Sequence, residues 1–414
     1  MTAAERVLVC RSCAGPAPVP FLTLGRLAVA NRLPTDPSAV EERFLLEVGF
    51  CPSCALVQLT HALPADAVFD DDYPYFSSYS EGLVRHAREH VEQLIASRGL
   101  GFRSLVVEVA SNDGYLLQHV VAAGVRAVGV EPTPGPAAAA RERNVPTVQA
   151  FFGRGLAAEL VAEHGHADVV VANNVMAHVP DLDDFVGGLA DLVAEDGVVT
   201  VENPGVGALL AQCAFDTIYH EHYCYFSTIA VDALVRRHGL RLVHVEEFPA
   251  LHGGTLRWHL ARAGEASPAV AAQLGAERAQ GLDQLSAYAG FGKRVTALQG
   301  DLREELARRK GEGQAIAAYG AAAKGATLLG STGIDVTTVD FVVDRNEHKQ
   351  GHYLPGTGIP VLPVEALLER RPDVVLLLAW NVAEEVVRQQ QAYLEAGGAF
   401  LLPVPEVRTM GPAR

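Results

Sequence analysis

The chain has 414 residues, 49% of them hydrophobic and 20% charged, with a formal net charge of -16. That length exceeds a single core and divides into two or three domains, while the charge excludes a general polyanion binder, which needs a clustered basic face. No apolar run has membrane-spanning length and the first residues lack a signal-peptide core, so a cytoplasmic protein that binds neither membrane nor nucleic acid is expected.

The first unit runs to about residue 75. Four of the six cysteines fall in two Cys-x-x-Cys pairs, Cys10-Arg11-Ser12-Cys13 and Cys51-Pro52-Ser53-Cys54, separated by 37 residues of strand-like, Pro-punctuated sequence. Two such knuckles supply four thiolates, the closed tetrahedral set of structural Zn2+, and leave no open position for catalysis. The junction Tyr73-Pro74-Tyr75-Phe76-Ser77-Ser78-Tyr79-Ser80 reads either as a pocket wall or as a linker packed on the next domain. A helical pattern follows from Glu81 to about Ser97.

From Ser104 short apolar strands alternate with helix-period segments. The candidate strands are Leu105–Ala110, Ala127–Glu131, Asp168–Asn173, Val198–Glu202, Arg241–Glu246 and Thr255–Ala261. Such alternation predicts a parallel, doubly wound α/β sheet with ligands at the carboxyl ends of its strands. The first turn, Glu108-Val109-Ala110-Ser111-Asn112-Asp113-Gly114, is not Gly-x-Gly-x-x-Gly and suits a ligand with an amino-acid portion. Glu131, 23 positions beyond Glu108, stands where such folds grip ribose hydroxyls. Together they favour S-adenosylmethionine over a dinucleotide. The expected cofactor contacts are Glu108, Ala110, Ser111, Asn112, Gly114, Glu131, Asn173 and Asn174. The next strand ends, Asn173-Asn174-Val175-Met176-Ala177-His178 and Glu202-Asn203-Pro204, load the same crevice with polar groups.

Between the strands Val198–Glu202 and Arg241–Glu246 lies Asp216-Thr217-Ile218-Tyr219-His220-Glu221-His222-Tyr223-Cys224-Tyr225-Phe226-Ser227. Two imidazoles, two carboxylates and three phenols in so short a span make a proton-transfer site, or a set of half-buried residues before a helix. Residues Val270 to about Lys310 then read as one helix, with Leu282, Leu285, Tyr288, Val295, Leu298, Leu302 and Leu306 on an apolar face that braces two domains. The final unit is a shorter Rossmann-like pattern: strand Ala315–Tyr319, a turn Gly320-Ala321-Ala322-Ala323-Lys324-Gly325 entering a helix, strand Val339–Asp344, and Pro372–Trp380 ending at Asn381. Lys324 at a helix start after glycine suits a phosphate or diphosphate.

Taken together, these blocks resemble the S-adenosylmethionine-dependent sugar C-methyltransferases of deoxysugar biosynthesis, which act on nucleotide-linked 4-keto sugars. The resemblance is carried by the two knuckles, Tyr75-Phe76-Ser77-Ser78-Tyr79-Ser80, the Glu108–Gly114 turn, Asn173–Pro180, Glu202-Asn203-Pro204 and Tyr219-His220-Glu221-His222. It continues through His252-Gly253-Gly254-Thr255-Leu256-Arg257, Tyr319–Gly325, Val343-Asp344-Arg345 and Leu378-Ala379-Trp380-Asn381. One departure is visible: Ala322 and Ala326 stand where the family turn usually has Pro and Asn.

The resemblance implies a small N-terminal zinc-binding domain at 1–75, a central class I methyltransferase-type domain at 76–264, and a C-terminal Rossmann-like domain at 265–414 that contacts a dTDP-4-keto-deoxysugar. It implies His222 as the base that removes a proton beside the ketone, with Tyr219 and Glu221 assisting, and Tyr75, Ser77, His178, Asn203, His220, Lys324 and Asn381 on the substrate. The carbon next to the C-4 ketone, C-3, is the expected acceptor. The sequence sets no oligomeric state, and a monomer suffices. An NAD(P)-dependent sugar oxidoreductase, suggested by the second Rossmann-like unit, is the alternative enzyme, and a zinc-bearing binding protein without chemistry is the third reading.

Overall fold

A computed structural model describes residues 5–64, 68, 76–251 and 253–411. Tyr75 and His252 lie outside the described residues. Among the described residues no helix is long and apolar enough to cross a membrane.

The N-terminal sheet starts with β1 (Val19–Leu27), β2 (Phe44–Phe50) and β3 (Val57–Leu59), paired antiparallel in that order. Its apolar side chains join one continuous core with the central unit. The central strands are β4 (Leu105–Val109), β5 (Arg126–Val130), β6 (Thr147–Val148), β7 (Ala167–Asn173) and β8 (Val193–Pro204). A two-residue strand, β9 (Cys224–Tyr225), leaves this unit and pairs antiparallel with β3, completing the N-terminal sheet from far along the chain. Strands β10 (Arg241–Phe248) and β11 (Thr255–Ala261) then return to the central sheet, whose order is β10-β11-β8-β7-β4-β5-β6.

The strands β4 to β8 pair in parallel, as the alternating pattern predicts for units joined by helices. A wholly parallel sheet is not what forms. β11 runs antiparallel to both β8 and β10. The reason is the connection: β10 and β11 are joined by a short loop ending in Gly253-Gly254, and a hairpin reverses chain direction where a crossover helix does not.

Among the described residues, seven α-helices flank the sheet: α1 (Glu81–Arg98), α2 (Leu117–Ala122), α3 (Pro134–Glu142), α4 (Arg154–His164), α5 (Leu182–Leu192), α6 (Val206–Gln212) and α7 (Thr228–Arg236). Starts of α1, α5 and α7 are capped by Ser80, Asp181 and Ser227, whose side chains accept from the amide three residues on. Under the antiparallel edge lies a buried ionic network. Arg257, 1% exposed, donates from Nε to Glu202 Oε2 at 2.9 Å, and His86 Nε2 lies 2.9 Å from the same oxygen. Glu246 accepts from His259 at 2.7 Å, and that bond with Arg257 nearby holds its pKa down to about 2.

The single helix expected over Val270 to about Lys310 is two, α8 (Pro268–Ala279) and α9 (Phe291–Gly311), separated by a turn. Gly281 turns left-handed at φ +73°, and a 3-10 turn at Leu285–Ala287 keeps the three-residue spacing that imitated a helix face. Leu282 and Tyr288 are still buried, Tyr288 with its ring 4.9 Å from Phe21 and 5.0 Å from Phe50. The connector packs on the N-terminal sheet through Tyr288, but as a kinked element that leaves Leu285 of the expected apolar face exposed.

The last unit has strand order β14-β13-β12-β15-β16-β17, from β12 (Ile316–Tyr319), β13 (Phe341–Val343), β14 (Val361–Leu362), β15 (Val374–Leu377), β16 (Ala399–Leu402) and β17 (Arg408–Met410). All pairs are parallel except β16 with β17. The order reverses at β12, so the ends of β12, β13 and β15 open on one crevice. Helix α10 (Ala323–Thr332) starts there, with Ala322 at its cap position.

Candidate active site

At the end of β4 the backbone takes an uncommon course. Ala110 (φ +56°) and Asn112 (φ +48°) are left-handed without being glycine, and Gly114 follows at +77°. Asn174, just past β7, is also left-handed at +54°. Three strained non-glycine residues at the carboxyl ends of neighbouring strands mark a functional crevice. Glu108 is 1% exposed and its two oxygens find no hydrogen-bond partner among the described residues. Burial, with Asp113 and Glu131 nearby, pushes its pKa well above the ordinary value. Ser111 Oγ and Asn173 Oδ1 are buried and likewise unpartnered. Gly129 on β5 leaves the room Ser111 uses, since a Cβ there would sit 2.4 Å from Ser111 Oγ.

Glu131 stands differently. Its Oε2 accepts from the Asn112 amide at 3.0 Å, and its Oε1 from the Thr133 amide at 2.9 Å and from the Thr133 hydroxyl. It shapes the turn whatever else it touches. The orphaned carboxylate, hydroxyl and amide oxygens fit a ligand with an ammonium and ribose hydroxyls, as S-adenosylmethionine has.

The Asp216–Ser227 segment crosses the same strand ends. Tyr223 N donates to Ala177 O at 2.7 Å, just past β7, and Val206 N at the start of α6 donates to Phe226 O at 2.8 Å. Here Tyr219 Oη and His222 Nε2 are 2.8 Å apart, and His222 Nδ1 is 2.8 Å from the Thr217 carbonyl. A carbonyl only accepts, so Nδ1 carries a proton and the neutral ring presents the Nε2 lone pair to the Tyr219 hydroxyl. His178 stands edge-on to His222 with centroids 4.6 Å apart, its Nδ1–H donating to the Glu221 carbonyl at 3.0 Å. Burial holds His178 neutral, with its pKa down to about 4.

Glu221 and His220 point toward the N-terminal sheet. Asn31 Nδ2 donates to Glu221 Oε2 at 2.7 Å. His220, 2% exposed and with its pKa lowered by burial to about 4, donates from Nε2 to the Phe44 carbonyl at 3.2 Å. Expected on the substrate, His220 instead sits in the seam with β2.

Other expected substrate residues divide. Lys324 Nζ donates to Asn381 Oδ1 at 2.7 Å, so these two come together across 57 residues. The ammonium also lies 4.9 Å from the Trp380 ring centre, and burial lowers its pKa while Asp216 raises it. Ser77 meets the turn after β4, its amide donating to Asn112 Oδ1 at 2.8 Å. Asn203, 1% exposed on β8, has an unpartnered Oδ1.

The four cysteine sulfurs lie within 4.8 Å of one another, with Cys10–Cys54 at 3.6 Å and Cys13–Cys51 at 3.7 Å. A tetrahedral zinc with bonds of about 2.3 Å puts its sulfurs about 3.8 Å apart, so the set fits. The two knuckles repeat one geometry: Ala14 and Ala55 are both left-handed, and each amide donates to the carbonyl four residues back at 2.9 Å. Gln58 Nε2, 3.1 Å from Cys10 Sγ, is an outer donor to the thiolate. The knuckles dock on the segment above, Arg11 donating to Pro180 O at 2.8 Å and lying over the Tyr223 ring at 5.2 Å.

Asn31 and Lys349, whose Nζ donates to the Ala321 carbonyl at 2.8 Å, carry no local signal in the sequence. They are isolated polar residues given meaning only by contacts with distant segments.

Three family models match the chain in series: a zinc binding domain over residues 10–69, a methyltransferase domain over 83–245, and a C-methyltransferase C-terminal domain over 250–405. The C-methyltransferase NovU of Streptomyces niveus is 36% identical over 406 residues, 97% of this chain and 96% of its own. The ubiquinone biosynthesis O-methyltransferase of Azorhizobium caulinodans is 28% identical over 29% of this chain and 46% of its own. Among solved structures, magnesium protoporphyrin IX methyltransferase from Synechocystis PCC 6803 aligns with 44% of this chain and 80% of its own, at 14% identity and a TM-score of 0.34.

Proposed function

This chain belongs to the C-methyltransferase family, and from that premise we propose that its acceptor is the carbon beside the C-4 ketone, C-3, of a dTDP-linked deoxysugar. It is an S-adenosylmethionine-dependent methyltransferase with a structural zinc in its N-terminal unit. S-adenosylmethionine, when bound, supplies a methyl group made electrophilic by its sulfonium. Glu108, Ser111, Asn112, Asn173 and Asn174 are our candidates to hold it, with Ala110 and Gly114 giving the turn its course and Glu131 the ribose side. The division at about residues 75 and 264, and a cytoplasmic location, belong to the same proposal.

The observation that carries the reading is the Tyr219–His222 contact at 2.8 Å, with His178 edge-on to it just past the end of β7. A carbon next to a ketone is nucleophilic only after losing its α proton, and that proton needs a positioned base. With Nδ1–H committed to Thr217, His222 Nε2 is the acceptor. The α proton passes to the Tyr219 oxygen as the phenolic proton passes to His222, leaving an enolate on the sugar. Glu221 orients a sugar hydroxyl; His178, Asn203 and Ser77 line the sugar, and Lys324 with Asn381 holds the diphosphate. His220 supports the segment from behind. Membership in a methyltransferase family sets aside the oxidoreductase alternative.

The test is mass spectrometry of dTDP-4-keto-deoxysugars incubated with the enzyme and methyl donor. One added methyl group is expected, and NMR of the product locates the carbon. Unmodified sugars across such a panel refute the proposed acceptor.

A further inference from the structure

The last unit meets the proton-transfer segment at Trp380 as well as along helix α10. Trp380, in a 3-10 turn just after β15, is 6% exposed, and its Nε1–H donates to Asp216 Oδ2 at 2.6 Å. Asp216 lies three residues before Tyr219, is fully buried, and leaves Oδ1 without a partner among the described residues. Glycine makes the seat: at Gly253, left-handed with φ +85°, a Cβ would come 3.2 Å from the indole. Helix α10, which carries Lys324, packs on the 3-10 turn Phe215–Thr217 that carries Asp216. One indole therefore holds the segment by its edge and the Lys324 ammonium by its face, at 4.9 Å.

We propose that Trp380 and Asp216 are positioning residues whose hydrogen bond fixes the separation between the phosphate-holding pair Lys324–Asn381 and the proton-transfer pair Tyr219–His222. This role presupposes Lys324 as a ligand of the diphosphate. Sugar and diphosphate are one covalent ligand, held at one end and deprotonated at the other. A shift of about an ångström between those ends costs proton transfer far more than it costs binding. Tryptophan suits the place because a single side chain offers a buried N–H donor and a face for a cation. Burial raises the Asp216 carboxyl to about 6, against the pull of Lys324 and the indole N–H, so the group is held at a cost a merely space-filling residue does not bear.

The experiment compares Trp380→Phe, Asp216→Ala and Asp216→Asn in the full-length, zinc-loaded enzyme. It measures affinity for dTDP and for S-adenosylmethionine by calorimetry, and exchange of the sugar's α proton in D2O by NMR. Trp380→Phe and Asp216→Ala are expected to lower exchange about tenfold or more while both affinities stay within about threefold. Asp216→Asn, which keeps an oxygen for the indole N–H, recovers most of the exchange. Equal losses in Asp216→Asn and Asp216→Ala overturn the proposal, because charge and not the tether is then what matters. So does unaltered exchange with weakened dTDP binding, or joint loss of both affinities. A wild-type enzyme that binds dTDP but exchanges no α proton refutes the enolisation reading itself, and one that exchanges it without binding dTDP refutes the diphosphate assignment.

Discussion

Arg257 and Glu202 form an ion pair at 2.8 Å on neighbouring strands, each side chain only 1% exposed. Glu202 precedes Asn203 near the end of β8, so the pair ties β8 to β11 beside that strand end. Breaking a buried pair strands a charge, so Arg257→Met is expected to destabilise the fold by about 3–5 kcal/mol. Replacing Glu202 with methionine as well recovers much of that loss. Urea unfolding of the two variants checks both figures.

His222→Asn and Tyr219→Phe each remove one half of the 2.8 Å contact. Both are expected to lower turnover and α-proton exchange by about a hundredfold or more, with donor affinity retained. Rapid exchange in His222→Asn would place the base elsewhere.

Donor binding is expected to strengthen with pH. Burial holds Glu108 protonated well above the usual carboxyl range, and facing a cationic ligand requires that proton to leave. Affinity therefore rises as pH climbs above the ordinary carboxyl range and levels once the group ionises. Glu108→Gln is expected to bind more weakly and without that slope, as calorimetry across the range will show.

Removing zinc, by chelation or by Cys51→Ser, frees the knuckles that hold Arg11 against Pro180 and Tyr223. The expected result is lost α-proton exchange with donor affinity kept within a few-fold. Metal analysis, circular dichroism and calorimetry on the same preparation separate these effects.

Asp216 carries a pH signature of its own. Its folded pKa of about 6 exceeds the ordinary 3.8, so the native state holds the proton more tightly than the unfolded chain. Stability therefore falls as pH rises between those values, by up to about 3 kcal/mol. Asp216→Asn removes the dependence, and thermal melts from about pH 4 to about pH 7.5 measure the difference.

Local pattern made much of the architecture legible. The strand Thr255–Ala261 has the expected bounds, and the cysteine pairs converge as their spacing requires. What pattern could not carry was direction and distance. β11 reads like its neighbours, because an apolar strand has the same sequence either way round; only its short loop reverses it. The kink between α8 and α9 was hidden because a 3-10 turn repeats apolar residues at the spacing a helix also shows. The placement of His220 depended on a carbonyl 176 residues away. Asn31 had no neighbour in sequence to mark it, since its partner Glu221 lies 190 residues on.

The pairing of β9 with β3 also orders the birth of the molecule. Until residue 225 has left the ribosome, Val57-Gln58-Leu59 is an open edge with unpaired amides and carbonyls. An N-terminal fragment ending near residue 75 keeps that edge bare however well it takes up metal, which makes it prone to self-association. The strand that closes the edge belongs to the segment carrying Tyr219 and His222, so the chain shields its own sticky intermediate in the same step that seats its chemistry.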